Sequence, residues 1–98
     1  MILKPFRQNG ATVTLSGTTS SSNSAINKNA STARVVNVGA VAVGVTFGAG
    51  SGTTATLAAG VIVPGPGVAT LSTGGADYVA VITASSTATV YVTPGEGT

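Results

Sequence analysis

A chain of 98 residues has room for one domain, and this one is charged at only 6% of its positions, against about a quarter in ordinary soluble domains. Histidine and cysteine are absent, and Asp77 and Glu96 are the only carboxylates. That excludes a disulfide framework, a thiolate metal site and the usual general base. The apolar 43% comes mainly from valine and alanine, without tryptophan, which suits a thin core between packed sheets.

In chain order, MILKPFRQNG opens with two apolar residues after Met1 before charge returns at Lys4, too short an apolar run for a secretory core. Residues 1–8 read as an arm, and Asn9-Gly10 supplies the positive φ of a tight turn. ATVTLS alternates Ala11, Val13 and Leu15 against Thr12, Thr14 and Ser16, the period of two of a half-buried strand. Residues 16–32, rich in serine, threonine and asparagine, predict a long loop with one short strand near Ala25 and Ile26. ARVVNV sets Val35 and Asn37 opposite Arg34, Val36 and Val38. AVAVGVTFG places Val41, Val43, Val45 and Phe47 on one face. Gly39 and Ala40, between these two runs, predict a hairpin or bulge.

FGAGSGTT predicts a flexible loop, with TATLA continuing as a strand. Pro64 and Pro66 in VIVPGPGVATL predict a turn or edge segment, since neither donates to a ladder. DYVAVIT is apolar on both sides and predicts a central strand. TATVYVT alternates Ala88, Val90 and Val92 with Thr87, Thr89, Tyr91 and Thr93, and residues 94–98 read as a tail. The expected fold is an all-β, single-domain antiparallel β-sandwich over residues 9–93, jelly-roll-like or Ig-like, with a small barrel as the alternative.

Little in this sequence does chemistry. No serine has a histidine to activate it, which leaves only a Ser-Lys dyad with Lys4 or Lys28. GAGSGTT lacks the lysine and the following helix of a phosphate-binding loop. Four scattered cations neutralise few phosphates, so nucleic acid is not expected. No apolar run approaches a membrane helix. Catalytic, cofactor-binding and metal residues are therefore expected to be none. Tyr78 and Tyr91 read as packed strand residues, or as stacking platforms for a sugar. Such a chain recognises by shape and backbone, and its low charge favours association.

Two stretches carry a resemblance: RVVNVGAVAVGVTFG (residues 34–48) and YVAVITASSTATVYVTPGEG (residues 78–97). A strand ending in Asn-x-Gly, a valine-rich strand closing on Phe47-Gly48 and a Thr-Val-Tyr-Val-Thr-Pro-Gly-Glu-Gly tail resemble small all-β virion proteins of tailed bacteriophages and prophages. The resemblance implies a capsid decoration or cement protein made in the host cytoplasm, bound to the major capsid protein on the capsid surface. It also implies a homo-oligomer, a trimer being favoured. Within that reading Phe6 is expected to anchor in a capsid pocket while Lys4 and Arg7 meet acidic residues. A head–tail, tail or fibre-associated protein is the alternative, and a carbohydrate-binding module the second.

Overall fold

A computed structural model describes residues 6–97 as nine strands in two antiparallel sheets. They are β1 (Arg7–Gln8), β2 (Val13–Gly17), β3 (Ser22–Ala25), β4 (Thr32–Asn37), β5 (Val43–Gly48), β6 (Val61–Val63), β7 (Gly67–Ser72), β8 (Tyr78–Thr83) and β9 (Ala88–Glu96). In the first sheet β9 is central, paired with β4 on one side and with β1 and β2 in succession on the other, while β7 lies outside β4. The second sheet runs β3-β8-β5-β6. The two sheets stay separate, so the fold is a β-sandwich and not a barrel.

Period-two patterning decides which face each strand buries. Leu15, Val35, Val90 and Val92 from the first sheet meet Val43, Val45, Val63, Val79 and Val81 from the second, in one buried cluster. Each fully buried valine contributes about 1.5–3 kcal/mol relative to an exposed one. Valine's compact, branched side chain fills a narrow gap that larger aromatics would overpack. Strand β8 is central in its sheet, as DYVAVIT predicts, with Ala80 and Val81 both buried.

The chain changes sheet at most of its connections, and this overturns the hairpin expected at Gly39. Strands β4 and β5 belong to different sheets, so residues 38–42 form a crossover. Asn37, buried at the end of β4, organises it: Oδ1 accepts from the Gly39 N–H at 3.0 Å and Nδ2 donates to the Val41 carbonyl at 2.8 Å. The crossover packs on the start of β9, where a Cβ on Gly39 would lie 2.6 Å from that of Ala88. A second crossover, Pro64-Gly65-Pro66, links the edge strands β6 and β7.

The tail expected from residue 94 is strand instead as far as Glu96. Proline removes one donor, and here the loss falls in a gap. The Pro94 carbonyl accepts from Asn9 N at 2.8 Å, so its donorless side faces the break between β1 and β2, where no ladder bond is required.

Residues 16–32 do contain a short strand, β3, adjoining the predicted position. The segment has a further role that composition hid. Residues 49–60 lie over the outer face of the second sheet, and Asn23 Nδ2 holds them by donating to the carbonyls of Ser51 (2.8 Å) and Thr53 (2.9 Å). Ser21 Oγ accepts from Ala55 N at 2.8 Å. Beneath this strap Ala80 is fully buried although it points away from the core. TATLA forms no strand. The Thr56 hydroxyl and carbonyl take the N–H groups of Ala59 and Gly60 and close a turn before β6.

Candidate interaction surface

Of the residues expected to bind a partner, Phe6 and Arg7 fall on one corner of the first sheet. Strand β1 pairs with the end of β9, which sets Arg7 opposite Glu96. Arg7 and Glu96 are both exposed. Phe6 is half-buried. Its ring lies against Gly95, where an added Cβ would come within 2.8 Å of Cε1, and the Arg34 guanidinium sits 4.6 Å from the ring centroid. Phe6 is thus packed against its own chain, between a backbone that has no side chain and a cation attracted to the ring face. Lys4 lies outside the described residues.

The fold gathers charges that the sequence scatters. Arg34 and Glu96 flank the same rows of the first sheet, since Thr32 pairs with Gly95 and Arg34 with Thr93. Lys28 is in the turn after β3, next to Asn27, whose Nδ2 donates to the Asn9 carbonyl at 3.1 Å. Asp77 directly precedes β8, and its carbonyl accepts from Ile26 N at 2.9 Å. The Ser31 N–H reaches the Gly95 carbonyl at 3.0 Å, tying the β3–β4 connection to the end of β9. Arg7, Lys28, Arg34, Asp77 and Glu96 therefore all stand at one end of the sandwich. At the other end, the connections through residues 18–21, 38–42, 64–66 and 84–87 carry no charge.

The two carboxylates have separate surroundings. Asp77 Oδ1 accepts from Gly50 N at 2.8 Å and its own N–H donates to the Gly48 carbonyl at 3.2 Å, so this side chain fastens the start of the strap. Glu96 belongs to the other sheet. Tyr78 is half-buried at the start of β8, whereas Tyr91 stands out from the first sheet in the cross-strand row Thr14, Tyr91, Val36, Val68. Among the described residues, no three His, Cys, Asp or Glu side chains come together as a metal site would require.

The geometry suits contact between surfaces: an end with both signs of charge, and an outer face of threonine and valine with one exposed tyrosine. Comparisons with protein-family models, with curated proteins and with solved structures return no match.

Proposed function

We propose that the chain is a non-enzymatic structural protein of a bacteriophage virion, a decoration protein that binds the outer surface of the major capsid lattice and stabilises it. The observation that supports this reading is the gathering of Arg7, Lys28 and Arg34 with Glu96 and Asp77 at one end of an otherwise nearly uncharged sandwich. Such an end docks on an acidic capsid surface with electrostatic steering, while the uncharged remainder costs little to bury. Repetition over the lattice multiplies weak contacts into firm attachment. The resemblance of residues 34–48 and 78–97 to phage virion proteins supplies the kind of particle.

Binding to expanded capsids of the encoding phage tests it. Charge reversal at Arg7 and Lys28, both exposed, lowers occupancy and weakens its dependence on salt. Full occupancy by the doubly reversed protein overturns the docking end. Copies in the hundreds per particle accord with decoration, and tens or fewer with a head–tail or tail position. Exposed Tyr91 favours a second reading, a carbohydrate-binding module; glycan binding lost in Tyr91→Ala would support it.

A further inference from the structure

From residue 35 to residue 76 the sequence contains no Asp, Glu, Lys or Arg. This stretch supplies β5, β6 and β7, and the last two are the edge strands on one lateral side of the sandwich, joined by Pro64-Gly65-Pro66. All the large hydrophobic side chains that stand exposed among the described residues, except Tyr91, belong to it: Val38, Leu57, Val61, Ile62 and Val68, the last at 63% exposure. Edge strands normally carry a lysine, a proline within the strand or a bulge, because unpaired N–H and C=O groups template pairing with another chain. Strand β7, GVATLS, has none of these devices.

We infer that this side is a homotypic interface, in which β7 of one copy pairs antiparallel with β7 of a second about a twofold axis at Thr70. Charge selects the occupant. A side with no charged group gains nothing from a charged partner, and desolvating that partner's charges would cost affinity. Its electrostatic match is another charge-free edge, and this chain supplies one of identical length and pattern. Symmetric pairing is also the commonest form of self-association.

Side-chain direction fixes the register. Antiparallel partners must share a face, so only sums of even residue number are allowed. Centring on Thr70 pairs Val68 with Ser72 on the outer face and Ala69 with Leu71 on the core side, where both side chains already pack partly against the cluster. Of the two neighbouring registers, the one centred on Ala69 would set Pro66, which has no N–H, against Ser72, and the one centred on Leu71 would set Val68 against Gly74, in the turn beyond β7. The first sheet then runs on through both copies, and the row of Val36 and Val68 continues into Ser72 and Thr32 of the second copy. Arg34, one strand in from Thr70, lies roughly 14 Å from its symmetry mate across three strand spacings. That exceeds the screening length of about 8–10 Å. The pair is a dimer, whereas a trimer needs a different, head-to-tail contact.

The test needs no capsid and stands apart from the virion reading. Sedimentation equilibrium of the full chain is expected to give twice the chain mass. Val68→Lys, an exposed change that leaves the monomer's circular dichroism and melting intact, weakens the dimer by roughly tenfold or more. The protein has no cysteine, so Thr70→Cys is expected to form an interchain disulfide on mild oxidation while Thr14→Cys on the opposite edge does not. A wild-type monomer at high concentration overturns the inference, as does an oligomer indifferent to Val68→Lys. A dimer that Val68→Lys dissociates but Thr70→Cys never cross-links overturns the Thr70 register.

Discussion

The side-chain amide of Asn37 donates to the carbonyl of Val41 at 2.8 Å, across the point where the chain leaves one sheet for the other. The same nitrogen lies 3.3 Å from the carbonyls of Val63 and Pro64, at the second crossover. One side chain, 1% exposed, thereby fixes two of the places where the chain changes sheet. A polar group in this position is tolerated because its donors and its acceptor all have partners.

Removing it leaves those partners unmatched, the Val63 carbonyl buried and the others partly so. Asn37→Ala is expected to destabilise the fold by about 2–4 kcal/mol, combining an unsatisfied Gly39 N–H, unsatisfied carbonyls and a small cavity. Asn37→Asp keeps the acceptor for Gly39 but loses the donors and adds a buried charge facing carbonyls, so it is expected to cost at least as much. Urea denaturation measures both. A loss below about 0.5 kcal/mol for either variant would show that the crossovers hold without Asn37.

Gly39 is needed for space. With Ala88 Cβ at 2.6 Å and Ala88 Cα at 2.8 Å from any added Cβ, Gly39→Ala forces the crossover away from β9, at about 1–3 kcal/mol. Ala88→Gly removes only the nearer atom, so rescue is partial. In a double-mutant cycle the pair is expected to lose less than the sum of the single changes by about 1 kcal/mol. Strict additivity would mean that the crossover moves freely.

Alternation made most of the fold legible. Wherever a strand buries one face, as at Val13 and Leu15 or at Val90 and Val92, polar and apolar residues trade places in the sequence itself. Partner choice was not legible. Gly39-Ala40 reads as a hairpin signal because glycine marks a turn whether the next strand returns beside the last or crosses to the other sheet, and only the buried Asn37 distinguishes the two. Pro94 reads as a stop because the gap between β1 and β2 is created by residues more than eighty positions upstream. The end that gathers charge is likewise invisible in sequence: Arg7, Arg34 and Glu96 are brought together by pairings of β9 with β1 and β4, and Asp77 joins the β3–β4 turn that carries Lys28 through the bond from Ile26 N to its carbonyl. Phe6 and Arg7 carried signal as neighbours in an arm, but nothing local tells that Arg34 caps the ring of Phe6.

That contact predicts a modest coupling. At an exposed site a cation over a phenyl ring contributes about 0.5–1 kcal/mol, and Phe6 also packs on Gly95. Phe6→Ala is therefore expected to cost more than Arg34→Ala, since it loses burial as well as the cation. A double-mutant cycle between them should return a coupling of about 0.5 kcal/mol or more. Arg34→Lys retains the charge without the planar stacking and should fall between wild type and Arg34→Ala. Zero coupling would show the ring held by Gly95 and the backbone alone.

The strap over the second sheet makes the remaining expectation. Asn23 bonds two of its carbonyls and Ser21 one of its N–H groups, while the hydroxyl of Thr46 lies buried on the same face with no partner. Fastening is therefore concentrated on a few side chains, in a segment with little apolar surface to hold it otherwise. Asn23→Ala is expected to release residues 49–60 locally, with a global cost of about 1 kcal/mol, because the core strands beneath keep their own ladder. Thermolysin, which cuts before large apolar residues, should then cleave ahead of Leu57 well below the unfolding temperature. Wild type should resist cleavage under the same conditions. Ser21→Ala removes one acceptor and should open the strap less. If Asn23→Ala gains no cleavage at Leu57 while its melting temperature falls, Asn23 acts on the whole sandwich and the strap is not an independent unit.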